Sequence, residues 1–433
     1  MKLSSRPETL STLSDSLHRQ LSMYALAASL LLAPCTWAAK YKVLYSFQGG
    51  ADGIFPFGAL VLDKSGNLYG TTSAGGNGNC YYDNYPGCGT AFMLSRQKDG
   101  TWQHQILYSF HYSDGEHPNG DLTFGSAGNL YGTNWAGGSA GWGTVFELIP
   151  QSGGQWTESV LYNFTGSSDG ADPSSGLLVD RKGNLYGMTF AGGKGGGVVF
   201  ELTPRSGGWV ESVLFTFCSP GCGGGLGPSG PLTLAKNGSF YGTTEFGGEG
   251  YGPGYGVVFR LEPVASGWEE SAIHSFVGQD GGTPGSGVTL GKNGRLYGTT
   301  NGDGAFGYGT VYRLTPGANG RWKERVLYNF RSGSTQSGSL SEGVLVDAAG
   351  NIFGVNGTGG VGSCDLDSGC GMVYKLIPSA HGRSKYSALH SFTGGAGGAM
   401  PFGSLVFGPE GKIYGTTSTG GATGNGVVFE ITP

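Results

Sequence analysis

The stretch Gly66-Asn67-Leu68-Tyr69-Gly70-Thr71-Thr72 recurs with small changes seven times along the 433-residue chain. Successive copies lie about 55 to 62 residues apart. Their aromatic positions are Tyr69, Tyr131, Tyr186, Tyr241, Tyr297, Phe353 and Tyr414. A unit of this size is too small to bury a core alone, so neighbouring copies must stack on one another. The regular recurrence also predicts that this aromatic side chain packs between neighbouring copies.

Each copy reads as four short strands. In the first copy, residues 59–63, apolar except for Asp63, lead through a Lys-Ser-Gly turn into residues 67–72. Residues 89–94 are the third strand, and in later copies such as 143–148 and 309–314 apolar residues alternate with polar ones, as in a half-buried strand. Residues 105–110 form the fourth strand. Four antiparallel strands repeated seven times predict an all-β fold, a seven-bladed β-propeller.

The two ends of the chain complement each other. Residues 41–47 read as a fourth strand with no first three strands before them, and the last copy stops at Pro433 after its third strand. We therefore expect the N-terminal strand to complete the last blade and close the ring. The repeats predict one propeller domain over residues 39–433.

The composition agrees with a turn-rich β-protein. Glycine accounts for 88 residues and shows no three-residue period of the collagen kind. Charged residues are 13% of the chain and the net charge is −5, so the sequence offers no basic surface for nucleic acid. We expect a monomer with no cofactor.

Residues 1–38 are typical of a signal peptide. Lys2, Arg6 and Arg19 precede the apolar residues 24–33, which are too few to span a bilayer. We expect cleavage near Ala38, export, and no transmembrane span in the mature chain. Lipid attachment at Cys35 is the alternative, which Pro34 disfavours.

Six further cysteines fall into three local pairs. They are Cys80 with Cys88, Cys218 with Cys222, and Cys364 with Cys370. In an oxidising compartment this spacing predicts disulfides. Metal binding is the alternative, but no pair has a histidine nearby, and we predict no metal site.

One face of the predicted disc carries the loops between second and third strands, which are rich in aromatic residues. Aromatic rings among amides suit the apolar faces and hydroxyls of sugars, so these loops predict glycan binding. The alternative is that the rings only pack over the ends of the blades. The candidates are Tyr81, Tyr82, Tyr85, Trp135, Trp142, Phe246, Tyr251, Tyr255, Phe306 and Tyr308.

Signals for other chemistry are weak. Asp-Gly pairs at Asp52, Asp114, Asp169 and Asp280 favour turns over calcium binding, because they lack the dense carboxylate spacing of a calcium loop. The Gly-x-Ser-x-Gly pattern at residues 137–141 lies in a strand-to-strand loop, whereas a nucleophile elbow needs a strand-to-helix turn. We predict no catalytic residue.

The repeated run Leu-Tyr-Ser-Phe, Asp-Gly, Gly-Asn-Leu-Tyr-Gly-Thr-Thr and Gly-Thr-Val-Phe-Glu-Leu resembles the GloVer tandem repeat of bacterial "choice-of-anchor" proteins over residues 41–433. The resemblance implies an exported bacterial protein without an established biochemical activity, in many members followed by a C-terminal sorting anchor. This sequence ends with its last blade, so we expect secretion or residence in the periplasm.

Three functions fit these observations. The first is a non-enzymatic binding or interaction module for an extracellular glycan or protein. The second is a polysaccharide-cleaving lyase or glycoside hydrolase with its site at the central channel, and the third is a structural protein of the cell envelope. Buried, unpaired carboxylates at the channel would favour the enzyme, and an aromatic-lined groove would favour binding.

Overall fold

Seven antiparallel sheets follow one another in the computed structural model, which describes residues 39–173, 175–218, 224–248, 253–331, 343–364, 369–379 and 384–433. Residues 39–433 form one compact unit. Each sheet is one blade, so the predicted seven-bladed β-propeller is confirmed. The predicted signal peptide lies outside the described residues. None of the helical segments in the described ranges has the length and hydrophobicity that a membrane crossing requires.

The strands of each blade pair in chain order. Blade 1 contains Val61–Leu62, Leu68–Thr72, Thr90–Arg96 and Trp102–Ser109, and blade 2 contains Thr123–Phe124, Leu130–Asn134, Thr144–Pro150 and Trp156–Asn163. Blade 3 contains Leu178–Val179, Leu185–Thr189, Gly195–Arg205 and Gly208–Cys218, and blade 4 contains Leu226–Leu234, Phe240–Phe246, Val257–Val264 and Gly267–Ser275. Blade 5 contains Thr289–Leu290, Leu296–Thr300, Thr310–Pro316 and Trp322–Asn329, and blade 6 contains Leu345–Val346, Ile352–Asn356, Met372–Ile377 and Lys385–Ser391.

Blade 7 combines the two ends of the chain. Its inner position is divided between Ala399–Pro401 and Val406–Phe407, followed by Ile413–Thr419 and Val427–Thr432. The N-terminal strand Lys40–Ser46 then pairs antiparallel with Val427–Thr432 as the outermost strand. This confirms the predicted closure of the ring, which leaves the last blade with four strand positions like the others.

The first strands are shorter than the sequence predicts. Residues 59–63 were expected to form a strand, yet only Val61–Leu62 pairs with the second strand of blade 1. The inner ends of the blades converge on the axis, and the Ala59 N–H bonds across to the Asp121 carboxylate of blade 2 instead. The turn after this strand is fixed by Asp63, whose carboxylate accepts the N–H groups of Ser65 and Asn67.

The same contact among three residues, two aromatic rings and a glycine, recurs at every blade boundary in the core. The Phe at the end of each fourth strand, within it or directly after it, packs on an aromatic ring in the third strand of the next blade, with centroids 4.8 to 5.4 Å apart. That second ring lies over the Gly of the repeated Leu-Tyr-Gly motif. The first pair is Phe47 with Phe92, and Gly70 lies beneath it. The recurrence of these residues in every repeat is therefore a packing requirement.

The repeated aromatic residue of the second strand packs against the next blade, as predicted. At all seven positions this side chain is at most 9% exposed. Tyr69 contacts Phe124, Tyr131 contacts Trp209, and Tyr241 contacts Trp322. At the closing seam, Tyr414 of blade 7 contacts Trp102 of blade 1. These rings hold the blades together.

Two of the three predicted disulfides are formed between described residues. Cys80–Cys88 and Cys364–Cys370 each close a loop between the second and third strands, with Cα atoms 4.8 and 5.0 Å apart. Cys218 is disulfide-bonded, and its predicted partner Cys222 lies outside the described residues. The disulfides therefore brace the enlarged loops of blades 1 and 6.

Candidate functional site

In the described residues, a sharp bend before proline brings the chain into six of the blades on the loop face. The residue before this proline has a left-handed backbone, with φ between 55° and 61°. Its N–H donates a hydrogen bond to the loop of the preceding blade, as the His117 N–H does to the Cys88 carbonyl. Its carbonyl accepts a hydrogen bond from its own blade, as the His117 carbonyl does from the Trp135 N–H. The bend residues in the described blades are Phe55, His117, Asp172, Gly227, Thr283 and Met400.

The bends surround a cavity of about 390 Å³ at the centre of the loop face. Two kinds of position supply many of its side chains. The residue after the bend proline contributes Phe57, Asn119, Ser229 and Phe402. The residue after the Gly-Thr-Thr motif, which is Gly-Thr-Asn in blade 2, contributes Trp135, Glu245 and Asn301. The repeat therefore holds the backbone constant while the side chains at these two positions differ from blade to blade.

A second cavity of about 400 Å³ continues below the first along the short inner strands of all seven blades. Its walls are mainly apolar, with residues such as Leu60, Leu122 and Val344. Asp121, Gly176, Pro231, Ser286 and Ser404 border both cavities. The two spaces thus form one central channel, polar at its mouth and apolar below.

Asp121 lies at the boundary between the two cavities and holds two blades together. Its carboxylate accepts the Ala59 N–H at 2.6 Å. Burial raises its pKa, and this hydrogen bond partly opposes the rise. Ser404 occupies the same position in blade 7 and accepts the Gly343 N–H in the same way. This hydrogen bond therefore joins neighbouring blades, and its acceptor side chain also forms part of the channel wall.

Glu245 places a second carboxyl group on the cavity wall. Burial raises its pKa, and a hydrogen bond from Ser229 opposes the rise. In the next blade Asn301 occupies the equivalent position, and its buried Oδ1 has no hydrogen-bond partner among the described residues. These groups present acceptors that a bound molecule with hydroxyl groups would satisfy.

Two of the predicted ligand-binding residues, Tyr82 and Trp135, line the cavity. The Tyr82 ring packs edge-on against His117, with centroids 4.9 Å apart. Trp135 is 36% exposed and stacks on Phe190 of blade 3. Both rings are thus held by neighbours and still offer surface to a ligand.

The other predicted residues lie elsewhere. Tyr81 and Tyr85 are exposed on the short hairpin of blade 1. The Trp142 ring is also exposed and packs against Gly166. Phe306 and Tyr308 are exposed in blade 5, where Arg331 lies over the Phe306 ring. Tyr255 packs on the core between blades 4 and 5, Phe246 ends the second strand of blade 4, and Tyr251 lies outside the described residues.

Five further residues of the cavity wall were not predicted from the sequence: Phe57, Asn119, Asp121, Glu245 and Asn301. None of them belongs to a recognised motif, and Glu245 and Asn301 look like ordinary loop residues. A signal was available, however, in their fixed offsets from the repeat. Residues directly after the bend proline and directly after Gly-Thr-Thr reach the channel in several blades.

The Asp-Gly aspartates serve turns, as predicted. The carboxylates of Asp52, Asp114, Asp169 and Asp280 accept the N–H groups of Gln48, His111, Thr165 and Val277, respectively. In the described part of the chain, Cys80, Cys88 and Glu116 come close enough to hold a metal ion. Because both sulfur atoms belong to one disulfide, this group is not a metal centre.

This fold and site define a seven-bladed β-propeller whose central channel opens into a polar and aromatic cavity. The family model of the Gloeobacter/Verrucomicrobia repeat matches residues 80–289 and 249–433, and the chain belongs to this family. The predicted resemblance is therefore confirmed. No curated protein matches the sequence. Among solved structures, a putative oxidoreductase (glucose dehydrogenase) from Thermus thermophilus is similar at 15% identity, over 91% of this chain and 100% of that one, with a TM-score of 0.44.

Proposed function

We propose that this protein is an exported, non-enzymatic binding module that holds a glycan in the cavity at the mouth of its channel. The observation that carries the proposal is the meeting of two partly exposed rings, Tyr82 and Trp135, with Asn119, Asn301 and Glu245 around one space. Sugars offer apolar ring faces to the aromatic side chains. Their hydroxyls both donate to and accept from the polar groups.

The dimensions of the cavity support a small part of a glycan as the occupant. Its volume of about 390 Å³ lies in the lower range of ordinary ligand sites. The polar groups converge from blades 2, 4 and 5, so a ligand would contact several blades at once. The propeller would act as a rigid frame, which reduces the entropy lost on binding.

The carboxyl groups at the cavity favour binding over cleavage. Asp121 is engaged by the Ala59 N–H and Glu245 by Ser229, so neither is free of protein partners. A second candidate function, cleavage of the bound polysaccharide, is favoured by one observation. Burial raises the pKa values of both groups, as a general acid in glycoside hydrolysis requires.

Export fits the cysteine chemistry. The disulfides Cys80–Cys88 and Cys364–Cys370 are the kind that persists in oxidising compartments. We therefore place the mature protein outside the cytoplasm, secreted or in the periplasm, as a monomer that meets extracellular polysaccharides.

Calorimetric titration with soluble polysaccharides such as xylan, mixed-linkage glucan, galactomannan and pectin tests the proposal. Trp135→Ala should weaken binding at least tenfold because it removes the exposed ring from the cavity. Trp142→Ala is the matched control, since Trp142 belongs to the same loop and lies outside the cavity wall. Equal affinity in both variants would contradict the site. New reducing ends, lost in Asp121→Asn, would establish cleavage instead.

A further inference from the structure

An aromatic stripe leads from the cavity outward over blade 1. We define it as Phe402, Phe57, Phe55, Tyr82 and Tyr85. The Phe57 ring contacts Phe402 of blade 7 at 5.3 Å and lies nearly parallel to Phe55 at 5.8 Å. Phe55 then contacts Tyr85 at 4.7 Å, and Tyr82 lies beside both phenylalanines. The cavity therefore continues outward as a band of ring faces.

The stripe is partly open to solvent along its length. Tyr85 is 44% exposed, and the other four members are half-buried. The hairpin that carries Tyr82 and Tyr85 is closed by the Cys80–Cys88 disulfide and pairs these two tyrosines directly across its strands. Tyr81 adjoins Tyr82 in the same strand and points to the opposite side. The stripe is thus held in place before any ligand arrives.

Phe55 lies at the bend before proline with φ of 60°, a left-handed backbone that His117, Asp172 and Thr283 share at the bends of other blades. The bend is therefore a feature of the repeat, and what blade 1 adds to it is the Phe55 ring, which contacts Phe57 and Tyr85. Blade 4 has Gly227 at the equivalent bend with φ of 61°, so glycine satisfies the same geometry.

We propose that the ligand is a linear polysaccharide segment longer than the cavity, which enters the cavity at one end and lies along the stripe toward Tyr85. This inference rests on the proposed function and extends it from a glycan to an extended chain. Successive sugars would stack on Phe57, Phe55 and Tyr85. The end of the chain would bond Asn301 and Glu245 in the cavity.

The cavity favours a sugar chain over a proline-rich peptide, which also stacks on aromatic grooves. The unpaired Asn301 Oδ1 needs a hydrogen-bond donor from the ligand. Sugar hydroxyls supply donors, whereas proline has no N–H. The stripe contains no charged member, which suits a neutral chain.

Titration of disaccharide and octasaccharide fragments of xylan, mixed-linkage glucan and galactomannan, the neutral polymers of the first test, tests this inference. The octasaccharide should bind the wild type at least tenfold more tightly than the disaccharide. Tyr85→Ala and Phe55→Gly should remove that advantage and leave disaccharide affinity unchanged. Tyr81→Ala and Thr283→Gly are the matched controls, the first on the far side of the hairpin and the second at the bend of blade 5, and both should keep the advantage.

The outcomes separate the two proposals. Equal wild-type affinity for both fragments would contradict the extended site and leave the cavity site standing, whereas no binding of either fragment would contradict both. Binding of polyproline in place of the octasaccharide would overturn the polysaccharide assignment. A larger mass for the wild type than for Tyr85→Ala in light scattering without sugar would show that a second copy covers the stripe, and would also overturn it.

Discussion

Gly187 and Phe200 face each other across the second and third strands of blade 3. A Cβ atom at Gly187 would lie 2.6 Å from Cζ of Phe200, closer than any side chain tolerates. The same relationship recurs at the Gly of every Leu-Tyr-Gly motif, with distances of 2.4 to 2.8 Å to the facing ring. This glycine is therefore needed for space in the core rather than for a turn.

Gly187→Ala should destabilise the protein by about 1 to 3 kcal/mol, because the added methyl overpacks the core against Phe200. Chemical denaturation measures the loss. Gly207→Ala is the control, since a Cβ at Gly207 meets no atom within 4 Å. Equal stability of the two variants would refute the packing role of this glycine.

Phe47→Ala should cost about 3 to 5 kcal/mol of unfolding free energy, because Phe47 is fully buried and joins the closing strand to Phe92 of blade 1. Phe407→Ala, at a site 37% exposed in blade 7, should cost clearly less. Thermal unfolding followed by circular dichroism compares the two. A similar loss in both would mean that the closing seam contributes little.

Replacing Cys80 and Cys88 together with serine should lower the unfolding free energy by about 2 kcal/mol, since the disulfide closes a short loop and restricts the unfolded chain. Denaturation of the oxidised wild type and the double variant gives the difference. Under reducing conditions the Cys80–Cys88 contribution should vanish, and a difference that persisted there would point to a packing defect instead.

Four glutamates at one position of the fourth strand make stability depend on pH. They are Glu158, Glu211, Glu270 and Glu324, and each has a buried Oε1 without a hydrogen-bond partner in the described residues. Burial raises the pKa of Glu158 to about 8, with the nearby Asp114 adding to the rise. It raises the pKa of the other three to about 7.

Stability decreases with rising pH because the folded state binds more protons than the unfolded chain. Above about pH 4.5, the ordinary pKa of glutamate, the folded glutamates still hold protons that the unfolded chain has released. Stability therefore falls as pH rises from about 4.5 until the folded groups have titrated too, at about 7 to 8. The melting temperature should decrease between pH 5 and pH 8. In a variant with glutamine at all four positions the decrease should be much smaller, and an unchanged slope would assign it to other groups.

The sequence alone predicted the architecture because the packing repeats. The aromatic ring of the second strand, the Phe at the end of the fourth strand and the Gly of the motif each recur once in every repeat, and together they impose one blade geometry seven times. The closing strand was predictable for the same reason, since residues 41–47 carry the pattern of a fourth strand.

The candidate site was harder to predict because the side chains that line the cavity lie where the repeat varies. Tyr82 and Trp135 were found from their aromatic character, but Trp142 and Phe306 share that character and lie outside the cavity wall. Glu245 and Asn301 reach the channel through the convergence of blades that are distant in sequence. Only the three-dimensional ring shows that convergence.

The most direct test of glycan binding is size-exclusion chromatography of the purified mature protein with a panel of bacterial and plant polysaccharides, with detection of both protein and polymer. We expect the wild type to co-elute with at least one intact polymer, and Trp135→Ala to elute apart from it. A polymer shifted to smaller size would contradict the non-enzymatic account. Unchanged elution of protein and polymer across the whole panel would contradict glycan binding itself.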